Sequence, residues 1–238
     1  MEVKTAPVAT RSGWARAVLG WTLIWSGLFI FGYLGWQLFV TDLVNARVQA
    51  TAVVELDETL EEAREDPPVV EEVEADDGVV VEFYPEEAPA EDEEFAMIRV
   101  PSLGLEAVVF EGVSLDTLSK GPGHMPGTPL PGQPGNAVIS GHRTTHGRPF
   151  YDFDLLVSGD RIEVETALGR HVYEVRDSFV VEPTDVWVAD DRSGGWLTLT
   201  TCNPKFSARE RLIIVAEMVE GPNLEYVNLI EDGVGGLA

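Results

Sequence analysis

Cys202 is the only thiol of the chain. It closes the strand-like run Trp196-Leu197-Thr198-Leu199-Thr200-Thr201 where the chain passes into Asn203-Pro204, a place suited to exposing a side chain. A thiolate is a strong nucleophile when a base or a cation stands beside it; the bland alternative is a small buried apolar residue. One cysteine makes neither an internal disulfide nor a multi-thiolate zinc site. Among the four histidines, His171 at a strand start reads as a surface residue, and His124 in a Gly/Pro loop is either near a cleft or simply exposed. His142 follows the strand Ala137-Val138-Ile139-Ser140 and Gly141, the same strand-end placement as Cys202, so two strands are expected to bring a thiol and an imidazole to one rim. His142 and His146 stand at i,i+4, but no acidic or thiol third ligand accompanies them and Gly147 and Pro149 oppose a helix, so no metal site is expected. Arg209 and Arg211 precede the apolar run Leu212-Ile213-Ile214-Val215-Ala216, and at period two Arg209, Arg211, Ile213 and Val215 share a face. An arginine at a strand start is ordinarily a surface charge. Arg211 lies nine residues beyond Cys202, the distance a short loop needs to return as a neighbouring strand, and a guanidinium can hold an oxyanion without changing its own protonation.

The elements that must position these groups are short β-type segments separated by Gly, Pro and Asp. Ile98 to Pro101, Ala107 to Phe110, Ala137 to Ser140, Arg161 to Glu165, Val172 to Val181, Leu197 to Thr201 and Leu212 to Met218 read as strands by β-branched content or alternation. That many short strands within residues 96–220 predict an all-β closed barrel or sandwich. Val113 to Lys120 is expected to form a short helical turn. Residues 221–238 carry little periodicity and read as a poorly ordered C-terminal tail.

Upstream, the uncharged stretch from Ala17 to Val40 is 24 residues long. As a helix it measures roughly 36 Å, more than the ~30 Å hydrocarbon core of a bilayer, so 17–40 is expected to be a transmembrane signal-anchor. Lys4, Arg11 and Arg16 precede it and Asp42 follows it, which places residues 1–16 in the cytoplasm and the remainder outside the plasma membrane. Residues 55–94 hold 19 acidic side chains against Arg64 alone, out of 41 acidic and 16 basic in 238 residues. With Pro67, Pro68, Pro85 and Pro89 interspersed, 41–95 reads as an acidic extracellular spacer that self-repels and resists packing. A juxtamembrane helix over 41–63 and docking of Val79 to Tyr84 on the domain are the two departures its pattern allows. Deleting 55–94 is expected to leave peptide turnover nearly intact. A net charge of −25 carries no electrostatic footprint for nucleic acid.

The segments Ile139-Ser140-Gly141-His142-Arg143-Thr144-Thr145, Thr198-Leu199-Thr200-Thr201-Cys202 and Arg211-Leu212-Ile213-Ile214-Val215-Ala216 together resemble the histidine, cysteine and arginine motifs of the sortases, cysteine transpeptidases of the Gram-positive cell wall. The wording from Cys202 to Arg211 is most similar to class E sortases of actinobacteria. The resemblance implies an eight-stranded barrel in which Cys202 is nucleophile, His142 general acid/base and Arg211 stabiliser of substrate and oxyanion. It also implies that Thr201 lines the substrate groove; Arg209 is the alternative to Arg211, and His146 stands where class E members commonly carry tyrosine. It further implies a secreted donor with a Leu-Pro-x-Thr-Gly or Leu-Ala-x-Thr-Gly signal and, as acceptor, a peptidoglycan precursor amine or a pilin lysine, with no cofactor. Outside this reading stand a cysteine peptidase using the same pair and a membrane-tethered wall-binding module with a structural cysteine.

Overall fold

The structure, a computed structural model, describes residues 11–36, 41–65, 68–74 and 78–235. The chain divides into two compact units, Met1–Thr41 and Asp42–Ala238. In the first, helix α1 (Arg11–Gly35) contains one 23-residue segment, Gly13–Gly35, long and apolar enough to cross a membrane and with no part of it buried in protein. Trp14, Trp21, Trp25, Phe29 and Phe31 are all exposed. Residues 1–10 of the expected cytoplasmic segment and 37–40 of the expected span lie outside the described residues.

The second unit is built on the expected closed barrel of eight strands: β3 (Glu94–Val100), β4 (Leu105–Glu111), β5 (Gly123–His124), β6 (Gly135–Ser140), β7 (Arg161–Thr166), β8 (Gly169–Val181), β9 (Gly195–Asn203) and β10 (Glu210–Glu220). Around the barrel they run β10-β8-β7-β3-β4-β5-β6-β9 and back to β10. Period-two alternation drives it: along β7, Ile162, Val164 and Thr166 point inward between more exposed neighbours. The interior is filled from nearly every strand by Ile98, Val109, Ile139, Val164, Tyr173, Leu199 and Ile214, closed off by the stacked Phe150 and Phe153. The pair that matters most for chemistry is β6 with β9, parallel from Gly135↔Gly195 to Ser140↔Thr200. β9 in turn pairs antiparallel with β10.

The acidic segment does not hang free, which corrects the solvated spacer expected over 41–95 and follows the two departures its pattern allowed, a helix over 41–63 and docking of Val79 to Tyr84. Helix α2 (Thr41–Glu65) lays Ala52, Leu56 and Leu60 against Met97, Val108 and Phe110 on the outer wall of β3 and β4. The three residues recur every fourth position, so the acids of α2 take the opposite face while one stripe stays apolar. Gln49 adds a two-way clamp, accepting from the Val108 amide at 2.8 Å and donating to the Val108 and Lys120 carbonyls at 3.2 and 2.9 Å. Further on, β1 (Glu71–Glu74) and β2 (Val80–Phe83) form a hairpin. The strap that leaves it is tied down through the Tyr84 amide and carbonyl to Asn223 and through Glu86 to Thr166. Removing 55–94 therefore strips Leu56, Leu60, Tyr84 and Glu86 from the unit, so the deletion is expected to lower its stability. The tail is corrected likewise. Residues Leu224–Gly235 form helix α4, whose Val227 and Leu224 join the barrel core and whose Tyr226 meets Phe83 at 4.4 Å.

Two histidines are also corrected. His171 is fully buried on β8, with Thr166 beside its Nε2 at 3.3 Å and with Nδ1 unpartnered among the described residues. Its alternation reads as surface only because the covering comes from remote segments around Gly132 and Gly221, both packed on its ring. His124 is buried too, its Nδ1 2.6 Å from the Glu111 carboxylate and its Nε2 2.9 Å from the Pro129 carbonyl.

Burial raises the Glu86 carboxyl to about 7, partly opposed by its bonds to Thr166 and Ala167, and lowers His171 to about 4. The two act in opposite directions. Glu86 binds its proton more tightly folded than unfolded, so its contribution is fully present below about pH 4.5 and is lost as pH rises through 7. Neutral, buried His171 contributes above about pH 6.5 and loses it as pH falls through 4. Glu86→Gln keeps the acceptor oxygen without a charge. In denaturant titrations across pH 4 to 8, this variant is expected to match the parent near pH 4.5 and to exceed it by about 1–3 kcal/mol at pH 8; equal stability at both ends would contradict the buried carboxyl.

Candidate active site

Both Cys202 and His142 lie two residues beyond the last β6–β9 register pair, Ser140↔Thr200. The two strand ends stay tied past that pair: the Gly141 amide donates to the Thr200 carbonyl at 3.1 Å, and the Thr201 hydroxyl donates to the Gly141 carbonyl at 2.7 Å. Thr201 is 3% exposed, so its expected position lining an open groove is corrected. From inside the sheet it fixes the residue that leads into His142. Gly141 is required at that place because a Cβ would lie 2.6 Å from the Phe150 ring.

Across the other edge of β9, Arg211 is the register partner of Cys202. Directly opposed residues of an antiparallel pair project to one side with Cβ atoms about 4.5–5.5 Å apart, so thiol and guanidinium share a face. Arg211 Nη1 donates to the Ala208 and Glu210 carbonyls at 2.9 and 3.0 Å, which steadies the arm over the β9–β10 turn. Arg209 lies outside β10, is 77% exposed along its side chain, and among the described residues its guanidinium meets Glu210 alone, at 3.7 Å. The structure thus brings Arg211, and not Arg209, beside Cys202.

Arg143, which the sequence marks only as the neighbour of His142, is brought to the same site. It is 3% exposed. Its Nη1 donates to the Cys202 carbonyl at 3.2 Å and to Asn203 Oδ1 at 2.7 Å, its Nη2 meets Asp154 at 2.9 Å, and its Nε reaches the Tyr151 carbonyl at 3.4 Å. A buried guanidinium is retained only where such partners surround it, and these partners staple the cysteine strand to the histidine loop. The one available signal was its position next to His142. Beyond Cys202 the chain turns through a cis Asn203–Pro204 bond, and Lys205 reaches back to Asp152 and Asp154 at 3.3 and 3.2 Å and sits 4.1 Å over the Tyr151 ring. Asp152 and Asp154 thus balance Arg143 and Lys205 and tie their segment to the turn after Cys202.

His142 faces His146, ring on ring, with centroids 4.8 Å apart. Burial first, and the second imidazole next, hold His142 below the ordinary histidine range, which favours the uncharged ring. His146 Nδ1 is buried without a hydrogen-bond partner among the described residues. The turn carrying it runs through three consecutive left-handed residues, His146 (φ 52°), Gly147 (φ 76°) and Arg148 (φ 52°). For the two with side chains this costs about 1 kcal/mol or more each.

The Sortase domain family model matches residues 98–219, just over half of the chain. Sortase SrtE1 of Streptomyces coelicolor is 35% identical over 142 residues, which make up 53% of this chain and 40% of that protein. Among solved structures, the chain resembles sortase E1 of Streptomyces coelicolor with a tripeptide in the active site, at 33% identity and a TM-score of 0.53, over 58% of this chain and 96% of that one. It also resembles a Clostridium perfringens Sortase D5 transpeptidase, at 25% identity and a TM-score of 0.58, over 73% of this chain and 99% of that one. The chain spans about two fifths of the length of the Streptomyces protein SrtE1.

Proposed function

Since the chain belongs to the sortase family of transpeptidases, we propose that it cuts a secreted protein between Thr and Gly of a C-terminal Leu-Pro-x-Thr-Gly or Leu-Ala-x-Thr-Gly signal and joins it to an amine. The observation that carries this reading is the register: Cys202 on β9 lies between the end of β6, which leads to His142, and Arg211 on β10. Neutral His142 takes the Cys202 proton as the sulfur attacks the threonine carbonyl. Arg211 Nε and Nη2, which have no protein acceptor among the described residues, donate to the oxyanion that forms. His142 returns the proton to the glycine nitrogen as the C–N bond breaks, leaving a thioester on Cys202. An incoming amine loses a proton to His142, attacks the thioester and forms the new amide as sulfur leaves. Thr201 and Arg143 act through the backbone that sets Cys202 against His142, and His146, stacked on the His142 ring, borders the substrate side.

In this reading, α1 anchors the enzyme in the plasma membrane with Lys4, Arg11 and Arg16 inside and the barrel outside. The acceptor is a cell-wall precursor amine, as expected for wall anchoring. Support for a peptide substrate comes from the Streptomyces sortase E1 structure, which holds a tripeptide in its active site. The test is product analysis of the full chain in detergent micelles, given a labelled signal peptide and a glycine-based amine. Peptide joined to the amine is the expected main product. Hydrolysed peptide alone would make the chain a cysteine peptidase, and a lysine side chain accepted in place of the glycine amine would point to pilin joining.

A further inference from the structure

The first turn of α2 grips the loop that follows His142. Asp42 Oδ1 accepts from the Gly147 amide at 3.0 Å, and Asp42 Oδ2 pairs with Arg148 Nε at 3.2 Å. Asn45, three residues on and buried, packs so closely on Gly147 that a Cβ there would lie 2.1 Å from Asn45 Oδ1. Asn45 is itself anchored, its Nδ2 donating to the Ser119 and Lys120 carbonyls at 2.9 and 2.7 Å at the end of helix α3 (Leu115–Lys120). The grip therefore runs from the barrel wall, through α2, to the turn at 146–148.

That turn is the one with three consecutive left-handed residues, two of which carry side chains, a conformation that persists only where the surroundings hold it. On its other side His146 stacks on His142. We infer that Asp42 and Asn45 are positioning residues: by holding the 146–148 turn they fix the His146 ring as a wall behind His142 and so set the direction in which His142 exchanges protons with Cys202. The inference rests on the proposed role of His142. It also gives the acidic helix a part in the chemistry that its composition conceals. Asp42 is separable from mere stability, because Arg148 is half exposed and its ion pair with Asp42 is screened by solvent.

The test compares Asp42→Ala and Asp42→Asn with the parent, using the full chain in detergent micelles and a labelled Leu-Ala-x-Thr-Gly peptide. Asp42→Ala is expected to lower kcat about tenfold with KM within about twofold, since a displaced acid/base loses rate and not binding. Hydrogen exchange of the 142–149 segment is expected to quicken while the barrel strands keep their protection. Asp42→Asn retains an oxygen for the Gly147 amide and is expected to recover most of kcat. An unchanged kcat in Asp42→Ala, an Asp42→Asn loss as deep as that of Asp42→Ala, or unaltered exchange over 142–149 would each overturn the inference. Should the parent turn over no signal peptide, the transpeptidase reading fails separately, and exchange over 142–149 decides the grip by itself: faster exchange upholds it and unchanged exchange overturns it.

Discussion

Replacing Cys202 with alanine is expected to abolish cleavage of a signal peptide, by at least about a thousandfold, while the unit stays folded. Both halves of that expectation follow from position. The side chain sits at the end of β9 and is only half-buried, so trimming one sulfur removes little packing and leaves a small cavity at most. The backbone around it is fixed by other residues: Arg143 on the Cys202 carbonyl, Thr201 on Gly141 and the β9–β10 ladder. No second thiol exists in the chain to take over. Peptide turnover and thermal melting of the variant check the two halves. A melted variant would speak for a structural cysteine, and full residual turnover would remove Cys202 from the mechanism.

The second large effect separates two arginines that look equivalent in the sequence. Arg211→Ala is expected to lower kcat/KM about 100- to 1,000-fold, the usual cost of losing a main donor to an oxyanion, and Arg209→Ala to change it by no more than about threefold. Arg211 faces Cys202 across the β9–β10 ladder, whereas Arg209 points into solvent with one long contact to Glu210. Arg211→Lys is a useful intermediate, because it keeps the charge but loses the fork of donors that reaches both the turn carbonyls and a ligand. Steady-state kinetics of the three variants check the ranking. Inversion of Arg209 and Arg211 would mean that the strand register does not set the site.

Why some of this was legible before the fold was seen, and some not, has a physical reason in each case. The barrel strands announce themselves because each must alternate to fill one interior, as in Ile162, Val164 and Thr166. Cys202, His142 and Arg211 stood out through residue type, strand-end placement and motif, signals that lie within a few positions of each residue. Residues whose role depends on a distant partner carried a weaker sign: the pattern allowed the helix over 41–63 but did not show what it packs on. Ala52, Leu56 and Leu60 form a sparse stripe in a segment whose average composition is that of a solvated chain, and only the wall of Met97, Val108 and Phe110 explains them. His171 looks exposed until the segments around Gly132 and Gly221 cover it. Arg143 and Asp42 are ordinary charged residues in the sequence; their weight comes from the Cys202 carbonyl and the Gly147 amide, 59 and 105 positions away.

Whether Cys202 carries the acyl group between donor and acceptor is read from the intact mass of the full chain quenched in acid during turnover of a signal peptide without added amine. A mass increase equal to the peptide fragment ending in threonine is expected, mapped to Cys202 as a hydroxylamine-labile thioester and missing from Cys202→Ala. A parent chain that cleaves the peptide between Thr and Gly while no such adduct forms on Cys202 would contradict that role.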